Sequence, residues 1–221
     1  MLLSLQRSIA SAEEAVSRLR FNKKSPLDHF TVGLFVSLIE RASSIHLLLC
    51  EKRGTDAKLI LRSALEVLVE LEILAVNPDH IWNVQHDFCK KQILILEMAE
   101  CGNPYLAEIK SSPDLERHRQ VWKMKLNETI EKGGKSLKVE LKFAMAGRKY
   151  DYDALYRNFS HSAHASYAGI IDEVFEVDPE KDDFEISLYS VSPEHALENI
   201  AVTASVCVDD AIKAVSRYLG R

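Results

Sequence analysis

The chain has 221 residues, of which 47% are hydrophobic and 28% charged, and its formal net charge is −5. This composition is typical of a globular protein and excludes disordered and collagen-like chains. The length suits one good core, so we expect residues 1–221 to form a single domain. The opening segment is too short for a signal peptide, and no uninterrupted apolar run reaches the roughly 18 residues of a membrane helix. We therefore expect a cytoplasmic protein without membrane contact.

The spacing of apolar residues predicts a helical bundle. Helices are predicted over residues 2–19, 27–51, 56–76, 79–100, 103–110, 114–132 and 136–147. Glycine and proline mark the breaks between them, for example at Gly54, Pro78 and Gly133-Gly134. The helix over 56–76 is apolar on nearly all sides, which predicts a central position in the domain.

The last third of the sequence changes its periodicity. Asp151 is predicted to cap a helix over 152–174, and a spacing of two then predicts a β-hairpin near residues 175–188. A final helix is predicted over 192–219. The expected organisation is an N-terminal helix with its connector (1–26), a helical core (27–174), the hairpin (175–190) and the last helix. The predicted fold class is therefore mainly all-α, a helical bundle with one small β-hairpin.

Four cysteines, Cys50, Cys89, Cys101 and Cys207, lie far apart without a CxxC pair. Neither a zinc site nor a disulfide framework has this spacing. We predict that all four are free thiols buried in the core.

The charges are unevenly distributed. Residues 117–149 contain ten basic and three acidic residues, a net charge of +7, so the rest of the chain carries −12. Such asymmetry is found in proteins with an anionic partner, and also in proteins where a basic helix face is merely solvated. The sequence leaves both interpretations open.

A polar stripe stands out on the predicted helix over 152–174. Ser160, His161 and His164 all fall within about 60° of Arg157 around the helix, with Tyr156 and Asn158 beside them. Histidine is suited to proton transfer near neutral pH, and arginine to a fixed positive charge on a phosphate. The alternative is that the histidines only satisfy hydrogen bonds in the core or at a dimer interface.

A second polar pair, Arg62 and Glu66, occupies adjacent turns of the apolar helix over 56–76. Charges in such a helix must be paired, and the stripe around His164 is the expected partner. The pair is either a structural ion pair or a support for that stripe. His161, His164 and Glu66 lack the second carboxylate helix of a di-iron bundle, so we expect no metal and no cofactor.

The segment from Arg157 and Asn158 to His164 resembles the Arg-polar-x4–6-His motif of HEPN domains (higher eukaryotes and prokaryotes nucleotide-binding). HEPN domains are helical bundles that commonly form dimers. Many are metal-independent ribonucleases in toxin, antiviral-defence and RNA-processing systems, whereas several others only bind. The chain also resembles an uncharacterised bacterial family, domain of unknown function 5677, over about residues 30–215. The segments that carry this resemblance are residues 61–66 and 156–164. That second resemblance implies no activity.

The HEPN resemblance implies a role for each residue of the stripe. His164 would be the general base on a ribose 2′-hydroxyl, and Arg157 would stabilise charge on the attacked phosphate. Asn158 and His161 would orient the substrate or assist the proton transfer. The side chains that would hold these groups in place are Arg62, Glu66, Tyr156 and Ser160. The RNA phosphates would contact Lys123, Lys125, Lys142, Arg148 and Lys149.

The expected function is thus a HEPN-like endoribonuclease in a defence or toxin–antitoxin system, acting as a homodimer with RNA as substrate and an antitoxin or another protein as partner. The alternative is a non-catalytic helical interaction or dimerisation module in which the polar cluster is structural.

Overall fold

Helices account for most of the protein, whose computed structural model describes residues 2–163, 170–171, 174–178, 183–186 and 192–220. The longer helices are α1 (Leu2–Arg18), α2 (Pro26–Cys50), α3 (Gly54–Val76), α4 (Ile81–Glu100), α6 (Leu115–Glu131) and a last helix (Glu194–Leu219). The shorter ones are α5 (Ala107–Lys110), α7 (Val139–Met145), α8 (Lys149–Asp151) and α9 (Arg157–Ala163). The expected mainly α-helical fold class is confirmed.

The chain divides into two compact units, one made of residues 1–76 and 139–221 and the other of residues 77–138. In the first unit, α2, α3 and the last helix pack against one another, and α1 packs against α2 and the last helix. Their shared core contains the fully buried side chains of Leu5, Phe35, Leu61, Leu68 and Val208. As predicted, α3 is the central helix of this unit. That residues 1–221 fold as one domain stays a prediction.

Helix α2 is, among the described residues, the one helix long and apolar enough to cross a membrane. After Phe30, Glu40 and Arg41 are the two Asp, Glu, Lys or Arg residues of this helix. The helix is therefore apolar on average, although its apolar residues do not form one long uninterrupted run. A core helix meets the same test of length and composition. Phe35, Leu38 and Ile45 of α2 are completely buried within the unit, whereas about two thirds of its most apolar stretch is not buried.

Two short strands follow the helical region, β1 (Phe175–Asp178) and β2 (Asp183–Ile186). They pair antiparallel, with Phe175 opposite Ile186 and Val177 opposite Phe184. This pairing agrees with the period of two in the sequence. The predicted turn over 179–182 and Leu188 lie outside the described residues.

The second unit is built on α4 and α6, which pack against each other. After α6 the chain turns at Gly133, whose φ is +83°, and Gly134 then lies against the backbone of α4. A Cβ at Gly134 would stand 2.5 Å from the Trp82 carbonyl oxygen and 2.7 Å from that of Thr129. The predicted break at Gly133-Gly134 is confirmed, and the close approach explains why the second position is also glycine.

We expect Gly134→Ala to destabilise the protein by about 1–3 kcal/mol, because the methyl group would meet two backbone carbonyls that cannot move aside cheaply. Gly33→Ala is the control, since a Cβ at this helical position has nothing within 4 Å. That change should stabilise the protein by up to about 1 kcal/mol. Urea unfolding of both variants measures the difference, and equal stability of the two would contradict the packing argument.

Several boundaries and burial predictions need correction. The helix predicted over 136–147 is only Val139–Met145, and the one predicted over 103–110 is a 3₁₀ turn followed by α5. The cysteines are all free, but Cys50 and Cys101 are exposed, so the prediction of burial holds only for Cys89 and Cys207. Burial raises the pKa of the Cys207 thiol to about 12, which keeps it protonated.

Candidate functional site

The helical segment that carries the Arg157 motif contains a π-helical turn. It begins with α8, continues as a π-helix over Tyr152–Tyr156 and returns to α-helix in α9. The start predicted at Tyr152 is therefore wrong, and Asp151 makes no side-chain capping bond. A π-turn adds a residue to the helical repeat and is often found beside functional sites. Here it ends immediately before Arg157.

Tyr156, the last residue of the π-helical turn, joins this helical segment to α3. We call the segment from α8 to α9 the motif helix. The Arg62 guanidinium donates a hydrogen bond of 2.9 Å to the Tyr156 hydroxyl, which donates one of 2.5 Å to the Glu66 carboxylate. Arg62 also lies over the Tyr156 ring, 4.9 Å from its centroid, and its ion pair with Glu66 measures 3.7 Å. Arg62 and Glu66 thus reach the motif helix as predicted, and Tyr156 is the residue that they contact.

The Tyr156 ring is held from behind by two other aromatic rings. It stacks on Tyr152 at 5.4 Å and meets the fully buried Phe143 at 5.1 Å. Burial, and then the hydrogen bond to Glu66, raise the pKa of the Tyr156 hydroxyl. The hydroxyl therefore stays protonated at neutral pH, where it accepts from Arg62 and donates to Glu66.

The first residues of α9 point their polar groups in different directions. Arg157 and Asn158 are exposed, and no described residue makes a hydrogen bond or ion pair with either side chain. Ser160 is half-buried, and its hydroxyl donates to the Tyr156 carbonyl at 2.7 Å, so it supports the helix. The His161 side chain and the whole of His164 lie outside the described residues. Arg157 and Asn158, the two residues after the buried Tyr156, are therefore at the surface.

Arg148, predicted to contact phosphate, is instead bonded to three carboxylate side chains. It donates to both oxygens of Glu72 at 2.5 and 2.7 Å, to Asp151 at 2.9 Å and to Asp210 at 2.5 Å. Only 16% of its side chain is exposed. These bonds connect α3, α8 and the last helix. The prediction that Arg148 contacts phosphate is therefore corrected: its role is structural.

Lys142 requires the same correction. Its ammonium group pairs with Glu70 at 2.5 Å, and both side chains are more than four-fifths buried. Glu70 lies four residues after Glu66 on α3. Successive polar residues of α3 are therefore contacted by side chains from the segment between Lys142 and Tyr156. The partners Glu70, Glu72 and Asp210 were not identified from the sequence, because they are distant in the chain from Lys142 and Arg148 and only tertiary packing brings them together.

The remaining predicted phosphate contacts are accessible. Lys123 and Lys125 are exposed on α6, and Lys149 is exposed with ion pairs of 3.6 and 3.7 Å to Asp153 and Glu140. Within the described part of the chain, no three His, Cys, Asp or Glu side chains come together as metal ligands would.

We expect Tyr156→Phe to lower the free energy of unfolding by about 1 kcal/mol. The change removes the hydroxyl between Arg62 and Glu66, and the cost stays small because the Glu66 side chain, 44% exposed, can be hydrated instead. Tyr152→Phe is the matched control, because no hydrogen bond joins its hydroxyl to a described residue, and it should change stability by less than about 0.5 kcal/mol. Thermal unfolding of both variants tests this, and equal losses would refute a bridging hydroxyl.

The family assignment rests on a family-model match. Residues 28–183 match the family of unknown function DUF5677, a range that includes both segments 61–66 and 156–164 and stops before the last helix. The resemblance was expected to extend to about residue 215, whereas the match ends at residue 183. Comparisons with curated proteins and with solved structures find no match. Because the family model covers more than half of the 221 residues, the chain belongs to the family of unknown function DUF5677.

Proposed function

We propose that the protein is a HEPN-like, metal-independent endoribonuclease whose site is centred on Arg157, Asn158 and His164. The observation that carries the proposal is the exposed Arg157 guanidinium, which no described residue neutralises. A structural arginine on a packed helix is normally paired, as Arg148 is in this protein. A cation held on a helix and left open to solvent is suited to an anionic substrate.

The hydrogen bonds among Arg62, Tyr156 and Glu66 hold the helix that carries the site. The bonds of Tyr156 to Arg62 and Glu66 act one residue before Arg157, at the last residue of the π-helical turn. A site that is held in this way loses little entropy when substrate binds. Arg62 and Glu66 are positioning residues in this proposal and do not touch RNA.

The proposed reaction is transesterification within the RNA strand. His164 takes the proton of a ribose 2′-hydroxyl, and the 2′-oxygen attacks the adjacent phosphorus. The bond to the 5′-oxygen breaks, and that oxygen accepts a proton, for which His161 is the nearest candidate in the sequence. Arg157 stabilises the charge that develops on the phosphate oxygens, and Asn158 orients the phosphate. The products are a 2′,3′-cyclic phosphate and a 5′-hydroxyl.

The setting proposed for this activity is a cytoplasmic homodimer in a defence or toxin–antitoxin system. A dimer would bring two Arg157 motifs together, as in other HEPN domains. A protein partner such as an antitoxin would hold the activity in check by covering the motif helix.

A second candidate function is a non-catalytic dimerisation module. The observation that favours it is the Arg62–Tyr156–Glu66 network itself, in which the hydroxyl bonds to both charged groups and links two helices, although the buried Arg62 Nε has no hydrogen-bond partner among the described residues. In that case the exposed Arg157 and Asn158 would contact a second copy of the chain.

The test is incubation of the protein with tRNA and with mixed cellular RNA in EDTA. Ribonuclease activity predicts cleavage that leaves 2′,3′-cyclic phosphate ends, and a 2′-O-methyl version of the same RNA should resist cleavage because it has no free 2′-hydroxyl. Absence of cleavage by folded protein, tested both as purified and after size-exclusion chromatography in high salt to remove bound partners, would reject the ribonuclease and favour the dimerisation module.

A further inference from the structure

The unit formed by residues 77–138 carries a groove between α4 and α6 that combines aromatic rings with lysines. The Trp122 ring meets Phe88 edge to face, with 5.4 Å between ring centroids. A cavity of about 320 Å³ lies beside them, and Lys125 and Gln85 contribute to its wall. Phe88 is 50% exposed although it lies on the helix face that packs against α6, so its ring is open to solvent within the groove.

Two lysines of this groove lie against tryptophan rings. The Lys125 ammonium is 4.5 Å from the centroid of Trp122, and that of Lys132 is 5.9 Å from the centroid of Trp82. Lys125 lies on α6, and Lys132 is the residue that directly follows the end of that helix. Both lysine side chains are exposed, so each can leave its ring and remain close to it.

An exposed aromatic ring beside mobile cations matches the chemistry of single-stranded nucleic acid. Bases stack on aromatic side chains whatever their sequence, and lysines contact the phosphates on either side. A duplex cannot use such a surface, because its bases are already stacked inside the helix. Charge also favours an anionic ligand, by a small margin: the cavity wall holds one cation, Lys125, and one carboxylate, Glu128, and residues 122–132 carry three lysines against two glutamates.

We propose that the α4–α6 groove binds single-stranded RNA, with a base stacked on the exposed Phe88 ring and the flanking phosphates on Lys125 and Lys132. This surface is additional to the Arg157 site and takes the substrate class of the proposed ribonuclease. Its test must therefore measure binding separately from cleavage.

The experiment titrates the Arg157→Ala protein, in EDTA, with a labelled single-stranded RNA 12-mer of mixed sequence. Trp82 and Trp122 are the two tryptophans of the chain, so stacking should quench the intrinsic fluorescence. Phe88→Ala and Lys125→Gln, which change exposed side chains, should each weaken binding by about 5- to 10-fold in fluorescence anisotropy. Tyr105→Ala is the control, an aromatic residue of the same unit that is 94% exposed and outside the groove, and it should bind as the parent does.

Binding without quenching, or binding that Phe88→Ala and Lys125→Gln leave unchanged, would overturn the proposal. Equal affinity for the matching duplex would also overturn it, because a general phosphate patch would then explain the binding. The two proposals fail separately. A wild-type protein that shows the groove-dependent binding and cuts no RNA would keep this inference and reject the ribonuclease, and the reverse result would keep only the ribonuclease.

Discussion

Replacing Arg157 with alanine is expected to slow RNA cleavage by about 100- to 1000-fold and to leave the fold unchanged. The rate falls because Arg157 is the proposed cation that stabilises the charge developing on the phosphate. The fold persists because the side chain is exposed and no described residue pairs with it. Single-turnover cleavage of tRNA, with circular dichroism as the check on folding, measures both effects.

Two further variants sharpen the assignment of Arg157. Arg157→Lys keeps the charge but loses the planar, two-pronged donor set, so it should recover only part of the rate. Arg7→Ala removes an exposed arginine from α1 and should cleave like the wild type. If Arg7→Ala and Arg157→Ala were equally active, Arg157 would have no part in the reaction.

The largest loss of stability is expected from Arg148→Met. Methionine keeps much of the side-chain volume but leaves Glu72, Asp151 and Asp210 crowded together without their shared cation. Removing one partner from a buried ionic cluster typically costs about 3–5 kcal/mol. Lys149→Met is the matched control, since this neighbouring lysine is 59% exposed and its ion pairs are loose. Exposed pairs contribute at most about 1 kcal/mol. Urea unfolding that gave equal losses for the two variants would contradict a structural role of Arg148.

The same cluster predicts how stability depends on pH. Burial by itself would raise the pKa of Asp210, but hydrogen bonds from Lys213 and Arg148 outweigh it and hold the pKa below its usual range. A carboxyl group whose pKa is lower in the folded state stabilises the protein above its unfolded pKa of about 3.9, and this contribution is lost as the pH falls further. The wild type should therefore lose stability more steeply below about pH 4 than Arg148→Met does. Parallel curves for the two proteins would indicate that Asp210 gains nothing from Arg148.

Much of the fold follows from local sequence patterns. Helices α2, α3, α4 and α6 have long apolar repeats with glycine or proline at their ends, and their observed bounds lie within a few residues of the prediction. The π-turn over Tyr152–Tyr156 was missed, because an extra residue in the helical repeat leaves no mark in composition. The exposure of Cys50 was missed as well, since cysteine type alone does not tell which face of a helix is covered.

The candidate site was predictable in part. Arg62 and Glu66 stood out because charges on an apolar helix need partners, and they do reach the motif helix. Which residue would meet them depended on the packing of α3 against the segment after residue 139, which periodicity does not specify. The same limit explains Arg148 and Lys142, whose positive charge suggested phosphate contacts although tertiary packing gives them carboxylate partners.

The central claim is that the Arg157 motif cuts RNA, and the most direct measurement compares wild type, Arg157→Ala and His164→Ala on tRNA in EDTA. The account predicts cleavage by the wild type with 2′,3′-cyclic phosphate ends, and its loss in both variants while their circular dichroism spectra and melting temperatures stay near those of the wild type. Cleavage of equal rate by all three folded proteins, or none by any of them, would contradict it.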